Sequence, residues 1–277
     1  MPAANLRPSP GRQAPLLADK VVLVSGGTQG LGSGIAAAAV DAGASVAVTG
    51  RREEQGARTA EALRARGGRD ALYLQADVAD VARAQASVAA TVEHFGRIDC
   101  LVNAAGLTSR GSILETTPEL FDAHVAVNLR APFFLIQAAV RDMLRRQSPG
   151  SIVNIITMSS HGGQPYLAPY AATKAGLAGL TKNAAHAHRW DRIRINGLNI
   201  GWTETEGEDV VQRRFHGAGD GWIEAAAKTL PMGKLAQVDE IADMVVFLLS
   251  DRSGVVTGSV IDWDQNVVGA LGDGTEQ

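Results

Sequence analysis

Tyr170 and Lys174 stand four residues apart in the run YAATK, inside an alanine-rich segment that favours helix, so their side chains share one face. A free tyrosine ionises near a pH of about 10 and is a poor base at neutrality. A neighbouring ammonium stabilises the phenolate and lowers that value, which lets the pair act as a general acid and base. An isolated Y-x-x-x-K is more often a helix-surface pair, so its surroundings must decide.

The second chemical signal is the turn Ser25-Gly26-Gly27-Thr28-Gln29-Gly30-Leu31-Gly32, set between a strand-like and a helix-like run. Glycines let the backbone turn sharply and a phosphate approach, and free N–H groups at the start of a helix favour an anion. The spacing of Gly26, Gly30 and Gly32 is G-x-x-x-G-x-G, distinct from G-x-G-x-x-G. Alone it is as readily a tight turn; between a strand and a helix it points to a dinucleotide.

These residues need a frame, and the rest of the chain supplies one. VVLVS at 21–25, SVAVT at 45–49, ALYLQ at 71–75, DCLVN at 99–103, SIVNII at 151–156, RIRING at 192–197 and SVIDW at 259–263 read as strands. Helical patterns lie near 53–66, 80–94, 114–146, 169–188 and 237–249, besides one running from the glycine-rich turn to about Ala42. This alternation predicts an α/β fold, a doubly wound and mostly parallel sheet with helices on both faces, as a single domain over 19–277. Residues 1–18, which hold four prolines, read as a flexible extension.

Asn103-Ala104-Ala105-Gly106 after the fourth strand, Asn128 in VNLRAPFF and Arg194-Ile195-Asn196-Gly197 around the sixth join the two signals in order. Together they resemble the short-chain dehydrogenase/reductase family over about residues 17–265, and the ordered set is specific where each motif alone is weak. The resemblance implies a Rossmann-type domain of seven strands, a nicotinamide coenzyme and hydride transfer between an alcohol and a carbonyl. It implies that Gly26, Gly30 and Gly32, with Thr28, Gln29 and Leu31 among them, line the coenzyme, and that Asp77 and Val78 sit beside its adenine. Asn103, Ala104 and Gly106 would support the coenzyme and the central strand. Tyr170 would donate or accept the proton, Lys174 would lower its pKa and bond the nicotinamide ribose, and Asn128 would hold a relay water. For Asp77 the alternative is a strand-end turn residue, and for Asn128 a polar group satisfied inside its helix.

The departures from the family pattern matter as much. The family's substrate-binding hydroxyl, usually serine, lies thirteen positions before the tyrosine, and here that residue is Thr157. Threonine keeps the donor and adds a methyl that restricts its rotamers. Ser159 is the rival, but two residues along a strand advance about 6.6 Å, out of reach without a local bend. Ile200-Gly201 replaces the usual Pro-Gly, and Thr205, four beyond Gly201, would meet the nicotinamide carboxamide or the pyrophosphate, with Thr203 as its rival.

Coenzyme preference is read at the end of the second strand. NAD-preferring relatives carry an acidic residue there for the ribose diol, whereas this chain has Gly50 followed by Arg51 and Arg52. Guanidinium suits bidentate phosphate binding, so NADP(H) is favoured. NAD(H) is the alternative, because Gln29 brings no second cation to the loop and both arginines could be a solvated helix start. Residues 202–233 are poorly patterned and correspond to the family's lid over substrate. With Trp202, and with Ser159, His161 and Gln164 beyond Thr157, they suggest a pocket rich in hydrogen-bonding groups and a small polar substrate: a polyol, sugar or keto compound.

The whole composition is consistent with this. A chain of 277 residues, 45% hydrophobic and 20% charged with a net charge of −3, has the length for a sizeable core and lacks the charge of a nucleic-acid binder. No apolar run reads as a signal or membrane segment, so a soluble, cytoplasmic protein is expected. The single cysteine, Cys100, excludes an intramolecular disulfide and reads as core. His186 and His188 face different sides of a helix, and no metal-site motif is present. The resemblance also implies a homotetramer or homodimer built on the helices near 114–146 and 169–188, where Ala171, Ala172, Ala175, Gly176 and Gly179 would allow close helix approach or equally serve packing within the chain. The competing function is a non-catalytic dinucleotide-binding regulatory or scaffold protein on the same fold, an alternative kept open by Thr157 and Ile200.

Overall fold

The computed structural model describes residues 15–67 and 69–269. Its strands are β1 Val21–Ser25, β2 Ser45–Gly50, β3 Ala71–Gln75, β4 Cys100–Asn103, β5 Gly150–Thr157, β6 Ile193–Ile200 and β7 Val260–Trp263. All pair in parallel, in the order β3-β2-β1-β4-β5-β6-β7. The helices are α1 Gly30–Asp41, α2 Glu53–Gly67, α3 Val81–Phe95, α4 Pro118–Val125, α5 Ala131–Arg145, α6 Ala168–His188, α7 Glu206–His216, α8 Trp222–Ala227 and α9 Val238–Leu249. The strand order reverses between β1 and β4, and a crevice opens there beyond the carboxyl ends of the strands.

The central strands are apolar on both faces because helices cover both. Val22, Val24, Val48, Cys100, Val102 and Val153 pack with α1 and α9 in one core layer. Their sequence neighbours Leu23, Ala47, Leu101 and Ile152 turn the other way, onto α3, α5 and α6. Each fully buried aliphatic side chain of the two layers contributes about 1.5–3 kcal/mol relative to exposure.

Three sequence expectations need adjustment, and one open alternative is decided. Residues 1–14 of the expected extension lie outside the described residues, but Leu17 is fully buried and its N–H donates to the Ala42 carbonyl at 2.8 Å. The domain therefore starts before residue 19, because a leucine at 17 seals the bottom of α1 and β2. The long helical pattern at 114–146 begins at Pro118, capped by the Thr117 hydroxyl, and passes through a π-helical turn at Ala126–Arg130 between α4 and α5. This continuous run, Pro118–Arg145, is by length and composition apolar enough to cross a membrane, contrary to the sequence reading, but half of its most apolar window is buried within the fold. Gly176 accommodates Leu129, since a Cβ there would come 3.1 Å from Leu129 Cδ2, so this small residue serves internal packing.

Candidate active site

β5 ends at Thr157, and a 3₁₀ turn, Met158–His161, bends the chain before α6 begins with Pro169 in its first turn. The bend is what the sequence reading lacked: it brings Ser159 Oγ to 3.4 Å from Thr157 Oγ1, and Ser159 donates onward to Gln164 Oε1. Thr157 stays within hydrogen-bonding reach of the Tyr170 phenol. His161 turns away toward β7, where its Nε2 meets Asp262 Oδ1 at 2.9 Å and Asn199 Nδ2 at 3.2 Å.

Tyr170 and Lys174 share the inner face of α6, as their spacing predicts. The Lys174 side chain is buried, with Nζ donating to the Ile155 carbonyl at 2.7 Å and lying 5.9 Å from the Tyr170 ring centre. Burial pulls its pKa down to about 8. The expectation that Lys174 depresses the Tyr170 pKa is not met in the protein alone. Burial pushes the phenol up to about 12, the Thr157 hydrogen bond pulls it back, and the charges of Glu208 and Arg110 raise and lower it respectively. The lysine ammonium is spent on a main-chain carbonyl, and desolvation outweighs the remaining influences. At neutral pH Tyr170 is thus a proton-bearing phenol.

Asn128 sits at the centre of the π-helical turn, fully buried. Such turns rotate one side chain out of the helical register, and they recur at functional sites. Here the carboxamide clasps the Leu107 main chain: Oδ1 accepts from Leu107 N at 2.8 Å and Nδ2 donates to Leu107 O at 3.0 Å. Thr173 Oγ1 at 3.2 Å and His124 Nδ1 at 3.1 Å stand at its other amide hydrogen. His124 Nε2 faces the Ser109 carbonyl at 3.1 Å, which fixes the proton on Nε2, and burial lowers its pKa. A Cβ at Gly106 would lie 3.9 Å from both Asn128 Oδ1 and Lys174 Nζ, so the exposed Gly106 leaves the gap between them open to solvent.

The glycine-rich turn is shaped by what passes behind it. Gly26 has φ of +75°, and a Cβ there would meet the Ala105 backbone at 2.7 Å. Gly32 lies directly over the Gly26 carbonyl, where no side chain fits. Leu31 packs on the core and Ala104 N donates to Ser25 O at 3.0 Å, tying the β1 and β4 loops together. Asn103 donates to Asn154 Oδ1 at 2.7 Å, while its own Oδ1 is buried without a partner among the described residues. Close backbone approach, exposed helix-start N–H groups and an unpartnered buried carbonyl fit a dinucleotide along this edge.

At the end of β2, Arg51 and Arg52 are both exposed, and Arg52 donates to Gln29 Oε1 across the glycine-rich turn. Gln29 therefore does bring a cation to the loop, by holding one that belongs to α2's approach. A side chain at position 50 is blocked by that of Thr28: a Cβ would stand 2.7 Å from Thr28 Cγ2 and 3.0 Å from Thr28 Cβ. Asp77 Oδ1 accepts from Ala79 N at 3.0 Å, forming the strand-end turn considered above, and Val78 is buried beside it.

Residues 202–233 are more ordered than their pattern suggested. Thr205 caps α7 by accepting from Glu208 N at 3.0 Å and stands 3.9 Å from where a Gly30 Cβ would be. Thr203 is buried and donates to the Gly201 carbonyl at 3.0 Å, so Thr205 is the one of the two facing the glycine-rich turn. Gly201 abuts the Asp264 carboxylate. Trp202 donates to Glu208 Oε1 at 2.8 Å and stacks on Trp222 at 5.9 Å between ring centres. Two residues not singled out from sequence join the site, His124 behind Asn128 and Arg110 from the β4–α4 loop, together with Glu208 on α7, one of the polar residues of the 202–233 segment. The only sequence signal for His124 was its i,i+4 spacing to Asn128. Cys100 is buried with its thiol pushed up to about 12 by desolvation, as a core residue.

Residues 26–265 match the family model described as enoyl-(acyl carrier protein) reductase. An uncharacterized oxidoreductase of Thermotoga maritima is 36% identical over 88% of this chain and 96% of its own length. Trans-4-hydroxycyclohexanecarboxylate dehydrogenase of Sinomonas cyclohexanicum is 34% identical over 88% and 90%. A crystal structure of a variant actinorhodin polyketide ketoreductase with NADPH superposes with a TM-score of 0.84 at 31% identity, covering 89% of this chain and 96% of that one. With this sheet, this glycine-rich turn and these relatives, the chain belongs to the short-chain dehydrogenase/reductase family. It is an oxidoreductase acting on CH–OH or carbonyl groups, and its named relatives give no support to a non-catalytic scaffold.

Proposed function

We propose that the protein interconverts a small polar alcohol and its carbonyl compound, a polyol, sugar or keto compound, with NADP(H) as the preferred coenzyme and Tyr170 as proton donor and acceptor. The observation that carries this reading is the convergence of Thr157, Tyr170 and Lys174 at the open end of β5, beside the glycine-rich turn. A bound nicotinamide coenzyme would supply or accept the hydride. Thr157 donates to the substrate oxygen, Tyr170 delivers the proton to it, and Lys174 holds its charge behind the phenol. The gap at Gly106, bracketed by Asn128 Oδ1 and Lys174 Nζ, is the place for the water that returns the proton from solvent. A homotetramer or homodimer built on the exposed faces of α4 and α5, which carry Phe121 and Phe133, accompanies this reading.

Support for NADP(H) comes from Arg51, from the Gln29-anchored Arg52 and from the absence of room for a carboxylate at Gly50. Arg51→Asp is expected to weaken NADPH at least about tenfold more than NADH, since an ionic phosphate contact is replaced by repulsion. Nicotinamide fluorescence titrations with both coenzymes measure this, and equal losses would remove the argument.

Thr157→Ala is expected to lower turnover about 10²-fold with the coenzyme dissociation constant unchanged, whereas Ser159→Ala costs less than about tenfold. The 3₁₀ turn makes the comparison necessary, because it brings the two hydroxyls side by side. Intact turnover in Thr157→Ala with loss in Ser159→Ala would transfer the role to Ser159.

A further inference from the structure

The charge of Arg110 favours the ionised form of the Tyr170 phenol. Its position is set by main-chain pairing. Gly111 N donates to the Tyr166 carbonyl at 2.9 Å and Ala168 N to the Gly111 carbonyl at 3.0 Å, so the loop carrying Arg110 is stitched to the start of α6, one turn before Tyr170. The guanidinium lies 5.6 Å from the Tyr166 ring centre and half-buried. Its Nη1 donates to the Thr108 carbonyl at 2.9 Å, and Nε and Nη2 approach His216 Nε2 from α7 at 3.4 and 3.3 Å.

No carboxylate among the described residues pairs with it. Glu208, the acid whose charge also acts on Tyr170, is turned to Trp202 Nε1 at 2.8 Å and Gln212 Nε2 at 2.7 Å. On α7, Arg213 is bound by Asp209 and Asp220. A guanidinium has five N–H donors, and the three contacts above leave one on each terminal nitrogen. Two N–H groups on one planar fork match the two oxygens of a single carboxylate. A doubly charged phosphate would call for a second cation beside the first, and no lysine or second arginine is among the described groups that touch Arg110.

We propose that Arg110 is a substrate-binding residue and that the substrate is an oxo or hydroxy acid, its carboxylate held on Arg110 while its carbonyl or alcohol lies against Tyr170. The inference rests on the oxidoreductase reading and narrows its substrate class. His216 and Tyr166 flank the carboxylate, so α7 closes over the acid end of the substrate.

The test is calorimetric titration of the protein saturated with its oxidised coenzyme, which prevents any reduction of an added ketone. The probes are 2-oxopentanoate, 4-oxopentanoate and 4-oxocyclohexanecarboxylate, each against its uncharged amide. At least one acid is expected to bind tenfold or more tightly than its amide. Arg110→Met should erase that preference, and Arg110→Lys should retain part of it. Amides binding as well as acids throughout the panel, or no acid binding at all, overturns the proposal whatever the variants do, and so does a preference that survives in Arg110→Met. The preceding coenzyme titration keeps the two levels apart. Coenzyme binding without acid preference defeats only this inference, whereas binding of neither coenzyme defeats the oxidoreductase reading beneath it.

Discussion

Tyr170→Phe leaves a protein that binds its nicotinamide coenzyme as before but reacts at least about 10²-fold more slowly, the usual loss when a positioned proton donor is removed. The substitution deletes one oxygen from a ring that otherwise keeps its packing on α6, so thermal unfolding should change little. The pH dependence adds a second reading of the same site. Burial holds Tyr170 up to about 12 and Lys174 down to about 8. Through neutrality the phenol therefore keeps its proton, and the charge that changes first with rising pH is that of Lys174. Reduction of a carbonyl compound should decline as pH rises through about 8, when Lys174 loses the proton that lets it support the phenolate left by proton transfer. Initial rates from pH 6 to about 10 check this; a rate that instead climbs with pH across that range would mean that Tyr170 works from its ionised form.

The second large effect is expected at Gly32. A methyl there would sit 2.9 Å from the Gly26 carbonyl carbon and closer still to its oxygen, both rigid main-chain atoms. Gly32→Ala must therefore open the glycine-rich turn, at a cost of about 1–3 kcal/mol in stability for an overpacked site. Coenzyme affinity should fall about 10²-fold or more, because opening the turn misaligns the N–H groups proposed to meet the pyrophosphate. Nicotinamide fluorescence and thermal unfolding measured together decide it. Unaltered affinity would place the pyrophosphate elsewhere.

The seven strands were legible because each is written locally, as a short run rich in apolar residues, and the register of β5 on β6 carries Thr157 to the strand's end. The Tyr170–Lys174 face and the glycine-rich turn were legible for the same reason: they depend on spacing within one element. Arg110 was not, because its place is set by the pairing of Gly111 with Leu167, a contact between two irregular segments 56 residues apart. The ordering of α7 was written locally but without an apolar stripe. Thr205 caps it, Glu206, Glu208 and Asp209 fill its first turn, Arg213, Arg214 and His216 its last, and Gly217 ends it at φ of +63°. The electrostatics of Tyr170 were misjudged because spacing gives proximity to an ammonium but not how deeply both groups are buried. Leu17 was assigned to the extension since prolines around it masked a residue that the core requires.

The contact between Thr28 and Gly50 makes coenzyme preference a matter of sequence history. A carboxylate at position 50, the change that would turn the end of β2 toward a ribose diol, is sterically closed while Thr28 keeps its side chain. Removing the Thr28 side chain takes away all three of the blocking atoms, whereas a side chain added at Gly50 alone pushes on the glycine-rich turn that carries Thr28. The end of β2 and the glycine-rich turn therefore cannot change independently: a side chain at position 50 requires a change at Thr28 before it or with it.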